Sequence, residues 1–179
     1  MRVLRFSMQF AAFSMLLLFL ACTSTKSDIT WKDETYKEHP KKILVINAFQ
    51  NPSIRRLFED EMVKALRDRR VDVVVQYTVM PDVIVYDKEA VAAQAKEVGA
   101  DTVLITRPVG TRMGASGASG GLYINTQTDV YDMRSNGLIL SVTAETQMRQ
   151  GAADLQHYLT QVPSFVKDLV KKLSQAGLF

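Results

Sequence analysis

Residues 43–46, Ile-Leu-Val-Ile, constrain the fold more than any other stretch of the chain. A strand with no polar position is typical of the centre of a sheet that is covered on both faces. Asn51 and Pro52 follow as a capping residue and a first-turn proline, and apolar residues then recur at helical spacing from Ile54 to Leu66. This stretch therefore predicts a strand followed by a helix, the first part of a βα unit.

The alternation of strand and helix continues along the chain. We predict a second strand, a second helix ending at Gly99, a third strand, a hairpin turning at Asn136-Gly137 and a last helix with Pro163 early in it. The corresponding ranges are 71–80, 88–98, 102–106, 122–132 with 138–148, and a helix that follows a linker at 150–156. This order favours an α/β (α+β) fold: a mixed sheet in a three-layer or two-layer sandwich with helices.

The charged residues of the first helix are predicted to share its solvent-facing side, because its apolar residues occupy the other side. They are Arg55, Arg56, Glu59, Asp60, Lys64 and Arg67.

The first 22 residues have the composition of an export signal. Arg2 and Arg5 form a positive start, an apolar run follows over residues 6–21, and the only cysteine of the chain comes next, at Cys22. A run of about 16 residues is short for a membrane-spanning helix. Leu20-Ala21-Cys22 resembles the lipobox, which is cleaved before a cysteine whose thiol carries a diacylglycerol. The alternatives are an uncleaved anchor helix and a free thiol in a secreted protein.

This interpretation divides the chain into three parts. Residues 1–21 are a lipoprotein signal peptide, residues 22–40 are an acylated N-terminus with a flexible linker, and residues 41–179 are a single mixed-sheet α/β domain. Loss of Arg2 and Arg5 leaves 20 basic residues against 19 acidic ones. The mature chain therefore lacks the excess of positive charge that is typical of nucleic-acid-binding proteins.

The stretch after the cysteine contains three residues that bear on the location of the protein and on its contacts. Thr23 is not an aspartate, and by resemblance to enterobacterial sorting this favours the outer membrane, with the domain facing the periplasm. Trp31 and Tyr36 are the aromatic residues of the polar linker. They either dock on the domain, bind a partner or lie at the lipid interface.

A glycine-rich stretch at residues 110–121 stands out between the predicted strands. A phosphate-binding loop would need a closing Lys-Ser or Lys-Thr pair and a following helix, and the sequence has neither. We predict an exposed hairpin tip. If this tip has a function, it is that of a flexible segment that becomes ordered when it binds a partner. The candidate partner-binding residues are Gly114, Ser116, Gly117, Ser119, Gly120, Gly121 and Tyr123.

The sequence offers no set of residues typical of catalysis. His39 and His157 lie far apart in the chain, and no cysteine pair or acidic cluster supplies a ligand set for a metal. Asp129 and Asp132 are predicted to take turn or exposed roles. We therefore expect no catalytic residue, no bound metal and no cofactor.

Three stretches resemble a group of bacterial envelope lipoproteins over about two thirds of the chain. They are residues 42–47 before the first helix, residues 97–105, and residues 130–141. The group contains the curli-secretion channel lipoprotein, the penicillin-binding-protein activator lipoproteins and the N-terminal domain of the Tol-Pal translocation protein. The shared motifs are fold motifs, and the resemblance implies an envelope role.

The function hypothesis is a membrane-anchored, non-catalytic module that binds an envelope protein or assembles with itself. An open sheet edge can accept a strand from a partner. The alternative, implied by the curli channel, is a self-assembling ring subunit of an outer-membrane secretion complex. Residues 122–132 are long enough to cross a bilayer, but the polar run at 125–129 argues against a pore.

Overall fold

The computed structural model describes residues 25–80, 87–114, 121–148 and 155–179. They form one six-stranded mixed sheet and four helices, which confirms the predicted α/β (α+β) class of a mixed sheet with helices. The strands are β1 (Thr25–Lys32), β2 (Lys42–Asn47), β3 (Asp72–Val75), β4 (Thr102–Met113), β5 (Leu122–Asp132) and β6 (Gly137–Met148). The helices are α1 (Pro52–Arg67), α2 (Gln76–Val79), α3 (Lys88–Glu97) and α4 (Leu155–Gln175). Within these ranges, no helix is long and apolar enough to cross a membrane.

The sheet has a parallel end and an antiparallel end. Its strand order is β1-β6-β5-β4-β2-β3. β2 pairs in parallel with both β3 and β4, whereas β4, β5, β6 and β1 pair antiparallel with their neighbours. The βα units predicted from the sequence therefore build the parallel end, and the predicted hairpin builds the antiparallel end.

β2 is buried on both faces, which confirms the prediction from its apolar run. Ile43 and Val45 belong to the core beneath α1 and α4, and Leu44 and Ile46 belong to the smaller core beneath α3. All four side chains are fully buried. The parallel end thus has three layers. At the antiparallel end, helix α4 covers only one side of the sheet, and we call the other side of β1, β6, β5 and distal β4 the open face.

Helices α1 and α4 pack against each other over the covered side of the sheet. The rings of Phe58 and Phe165 meet there with their centroids 5.7 Å apart. Asn51 caps α1 through its side-chain oxygen, which accepts from the backbone N–H groups of Ser53 and Ile54. Pro163 lies inside α4, not early in it as predicted, because the helix already begins at Leu155.

Residues 25–32 differ from the predicted linker. They form β1, which pairs antiparallel with β6 from Thr25 opposite Thr146 to Lys32 opposite Leu140. β6 would otherwise leave its outer backbone groups unpaired, and this pairing satisfies them without requiring an apolar sequence in β1. Within the described residues, the first strand therefore begins at Thr25, three positions after Cys22 in the sequence.

The two aromatic residues of the predicted linker have different environments. Tyr36 packs against the main core, which matches the docking alternative. Trp31 projects from β1 on the open face and keeps 46 % of its surface exposed.

The second predicted strand is shorter than expected. β3 ends at Val75, and the chain turns at once into the single-turn helix α2. Gln76 is buried, and its side-chain amide donates to the backbone oxygen of Met80 at 2.7 Å. This local hydrogen bond closes the turn where the valine-rich sequence predicted a continuing strand.

The β5–β6 turn is longer than the tight turn predicted from Asn136-Gly137. Asp132 pairs with Gly137, so four residues connect the strands. Asn136 has a φ of 54°, and Gly137 already belongs to β6. The carboxylate of Asp132 accepts from the backbone N–H and the hydroxyl of Ser135, which holds this wider turn.

Candidate functional site

β4 continues well beyond the parallel part of the sheet. Its last pairing with β2 joins Thr106 to Asn47, and residues 107–113 pair only with β5 in the described chain. Every residue from 107 to 113 is exposed. We call this extension the arm: residues 107–113 of β4, 122–127 of β5 and 143–148 of β6. The sequence predicted a strand of only five residues here.

The free edge of the arm is irregular. The register of β4 shifts between Pro108 and Gly110, so Val109 has no partner in β5. Proline donates no backbone hydrogen bond, and a bulge twists an edge away from flat pairing. This edge is therefore a poor template for a strand from another molecule. Its large apolar side chains are nevertheless accessible: Val109 is 50 % exposed and Met113 is 73 % exposed.

The structure brings together the three candidate partner-binding residues that it describes. The N–H of Gly114 donates to the backbone oxygen of Gly121 at 2.8 Å, which closes the end of the β4–β5 ladder. Tyr123 follows on the open face of the arm, opposite Arg112. The other candidates lie outside the described residues: Ser116, Gly117, Ser119 and Gly120.

Gly121 lies too close to β6 to carry a side chain. A Cβ atom there would lie 2.7 Å from the backbone oxygen of Met148. We expect Gly121→Ala to lower the free energy of unfolding by about 1–3 kcal/mol, because strand backbone must move apart. Gly110→Ala is the matched control, since nothing lies within 4 Å of its Cβ position. Urea unfolding followed by circular dichroism compares them, and equal unfolding midpoints would refute this account of Gly121.

Arg112 joins the three strands of the arm on the open face. Its Nε and Nη2 atoms donate to the two carboxylate oxygens of Glu145 at 2.7 and 2.6 Å. Its guanidinium carbon also lies 3.9 Å from the ring centroid of Tyr123. The hydrogen bonds from Arg112 lower the pKa of Glu145. A stacked, bidentate arginine holds its side chain in one position, which gives the arm a fixed surface.

A second charge pair lies where the arm meets the body of the sheet. Asp129 Oδ1 accepts from Ser141 Oγ at 2.7 Å and from Gln127 Nε2 at 2.9 Å. Its Oδ2 accepts from Arg107 Nη2 at 3.1 Å. Asp129 is only 5 % exposed, so the predicted exposed role is wrong. The cause is that its cross-strand neighbours cover the carboxylate on the open face.

Asp132 is also buried, and its hydrogen bonds with Ser135 give it the turn role, one of the two roles predicted for it. Burial raises its pKa, but hydrogen bonds from Arg134 and Ser135 outweigh that effect, and the pKa of Asp132 lies below its usual range. Both aspartates therefore have fixed donors on their oxygens, as carboxylates in structural charge pairs do.

Among the contacts of the described side chains, His39 makes none with these carboxylates. The Nδ1 atom of His39 lies 3.3 Å from the backbone oxygen of Leu178. Over residues 25–80, 87–114, 121–148 and 155–179, no group of three His, Cys, Asp or Glu side chains is placed to hold a metal. What the arm offers is a surface of paired charges with two exposed apolar side chains.

Sequence reasoning missed Glu59, a buried carboxyl group inside the body. Its side chain is fully buried, although the sequence placed it on the solvent side of α1. Oε1 accepts from the N–H of Asn47 at 3.2 Å, and Oε2 accepts from the N–H of Tyr77 at 3.1 Å. Burial raises the pKa of Glu59 to about 7, against the lowering effect of these two bonds. A signal was present: Glu59, Met62 and Leu66 have the i, i+3, i+7 spacing of one helix face.

Comparison with known proteins finds only distant structural likenesses. No protein-family model matches the sequence, and no curated protein sequence matches it. The PelC dodecamer from Paraburkholderia phytofirmans is 16 % identical with a TM-score of 0.49, over 86 % of this chain and 97 % of that one. Lipoprotein GNA1162 from Neisseria meningitidis is 12 % identical with a TM-score of 0.46, over 76 % and 99 %. The C-terminal domain of LpoB from Salmonella enterica is 14 % identical with a TM-score of 0.40, over 62 % and 86 %.

Proposed function

We propose that the protein is a lipid-anchored, non-catalytic binding module of the bacterial cell envelope. Acylated Cys22 holds it on the periplasmic side of the outer membrane, and the arm contacts an envelope protein there. The observation that carries this proposal is the run of exposed residues 107–113. They extend the sheet beyond its body, and they end in Met113, which has 73 % of its surface exposed.

The charge pattern of the arm favours recognition by apolar contact. The two arginines nearest the exposed apolar side chains are already paired, Arg107 with Asp129 and Arg112 with Glu145. Neither sign of charge dominates the surface. Protein interfaces commonly combine a few large apolar anchors with a polar rim, and Val109 and Met113 inside this set of ion pairs have that composition.

Acylation at Cys22 would keep the arm close to the membrane. Thr25, the first residue of β1, lies opposite Thr146 in the arm. Three peptide links separate Cys22 from Thr25, and such a segment spans at most about 11 Å. A domain on this tether has little freedom to stand away from the lipid. The partner favoured by this arrangement is therefore a protein that lies at, or is embedded in, the membrane surface.

Site-specific photo-crosslinking in cells of the source organism tests the proposal. A benzoylphenylalanine at Met113 is expected to crosslink to one defined envelope protein. The control position is Lys171, which is also exposed but lies on α4. In a second experiment the crosslinker is placed at Val109, with and without Met113→Glu. The substitution is expected to reduce the crosslinked product at least fivefold, because it puts a charge into the apolar contact.

The outcomes of this experiment separate the alternatives. A ladder of crosslinked copies of the chain itself would support the self-assembling ring subunit in place of a separate partner. Crosslinking to phospholipid only would show that the exposed side chains touch the bilayer. Equal products at Met113 and Lys171 would refute a specific role for the arm.

A further inference from the structure

A half-open cavity lies beside α3, on the same side of the sheet as the open face. Its volume is about 240 Å³. It lies between α3 and the face of β4. Its apolar lining comes from both layers: Val91 and Ala92 of α3, Val103 and Ile105 of β4, and Met133 of the β5–β6 turn.

Three polar side chains complete the lining of this cavity: Lys88, Tyr131 and Asn136. Lys88 is the first residue of α3, Tyr131 belongs to β5, and Asn136 lies in the β5–β6 turn. Across the part of the chain that the structure describes, none of the three side chains has a hydrogen-bond or ion-pair partner. Burial, followed by the nearby charge of Asp129, raises the pKa of Tyr131, so its hydroxyl stays a hydrogen-bond donor at neutral pH.

We propose that this cavity binds a small aromatic carboxylate of one or two rings. The apolar lining favours a flat apolar body, because apolar cavities of about 150 Å³ bind benzene and a larger one accepts a larger ring. The ammonium group of Lys88, the Tyr131 hydroxyl and the Asn136 amide supply a cation and two donors for a carboxylate. An apolar pocket with a few converging polar groups is the usual form of a small-molecule site.

The geometry assigns separate roles to the residues. Lys88 distinguishes a carboxylate from a neutral analogue, since a charge-assisted hydrogen bond is stronger than a neutral one. Tyr131 orients the ligand through one donated hydrogen bond. Ala92 sets the depth of the cavity, because its small side chain leaves the space that the ring occupies.

Binding is tested on the full acylated chain in lipid nanodiscs, with 2-naphthoate as the probe and empty nanodiscs as the blank. Saturable binding is measured by ligand-observed NMR. The neutral 2-naphthamide is expected to bind about tenfold more weakly than 2-naphthoate. Lys88→Gln is expected to weaken naphthoate about tenfold and leave the amide nearly unchanged. Tyr131→Phe is expected to weaken both probes a few-fold.

Two further variants separate this site from general adsorption. Lys96→Gln on the same helix lies outside the cavity and is expected to leave the affinity for naphthoate unchanged. Ala92→Phe fills the cavity and is expected to abolish binding of both probes. Circular dichroism checks that each variant is folded, and Lys88→Gln and Tyr131→Phe carry the test if Ala92→Phe does not fold. Wild-type signal no greater than that of empty nanodiscs, or equal losses in Lys88→Gln and Lys96→Gln, would overturn the proposal.

Discussion

Cys22→Ser is expected to remove the acyl label from the protein and to release the chain from the membrane fraction. The thiol is the only group that can form the thioether to diacylglycerol, because the chain has one cysteine. Each buried methylene of an acyl chain contributes about 0.8 kcal/mol to membrane binding, and two or three chains make attachment stable. Labelled palmitate, followed by fractionation of the envelope, measures both effects in the same cells.

A neighbouring substitution provides the matched control. Thr23→Asp keeps the cysteine and is expected to retain the palmitate label at the wild-type level. By the enterobacterial sorting pattern, it should move the protein from the outer to the inner membrane in an enterobacterial host. If the wild-type chain takes up no label, or if Cys22→Ser stays in the membrane, the uncleaved anchor helix becomes the better account of residues 1–22.

Local patterns in the sequence were sufficient for the centre of the fold. The apolar run at residues 43–46 indicates burial on both faces without knowledge of any neighbouring strand. Asn51 and Pro52 mark the start of α1 in the same local way, and the structure shows that cap. These signals depend on residues close together in the chain, which is why the parallel βα units and the hairpin could be predicted.

β1 could not be predicted because its stability comes from a strand more than a hundred residues away. The stretch 25–32 is mostly polar, and its only large apolar side chains, Ile29 and Trp31, both stay partly exposed. What makes it a strand is the free edge of β6. Pairing with a distant edge leaves little trace in a strand's own composition, so the same residues were interpreted as a linker.

The candidate site was predicted in part. The glycine-rich stretch drew attention to this end of the hairpin, and Gly114, Gly121 and Tyr123 lie together there. The exposed part of β4 was missed, because Pro108 and Gly110 are residues that usually end a strand. Only the pairing with β5, across the glycine-rich segment, shows that the strand continues around a bulge.

Glu59 is expected to make the protein less stable as the pH rises from about 4.5 to 8. The carboxyl group is fully buried, and its pKa is raised from 4.5 to about 7 by that burial. The folded protein therefore holds this proton more tightly than the unfolded chain does. Its favourable contribution is complete below pH 4.5 and is lost as the pH rises through about 7. The size of the shift corresponds to a loss of about 3 kcal/mol.

Two charged neighbours affect the Glu59 carboxyl group in opposite directions. Arg55 lowers its pKa and Asp60 raises it, and both effects are smaller than those of burial and of the N–H groups of Tyr77 and Asn47. The pH dependence is thus expected to follow from the buried position between the end of β2 and the start of α2. Replacing either surface charge should change it little.

Glu59→Gln isolates this contribution. A glutamine oxygen can accept from only one of the two N–H groups, so the variant loses one hydrogen bond. This loss lowers the free energy of unfolding by an amount that does not depend on pH. Every other titratable group is the same in both proteins. We therefore expect the wild type to be clearly more stable at pH 5 and the difference to shrink by about 2.5 kcal/mol by pH 8. Urea unfolding of the full chain in detergent micelles, followed by circular dichroism at four pH values, measures the difference. If the free energies of unfolding of the two proteins follow parallel curves against pH, Glu59 keeps one protonation state over this range. The predicted effect of its burial on the pH dependence of stability would then be wrong.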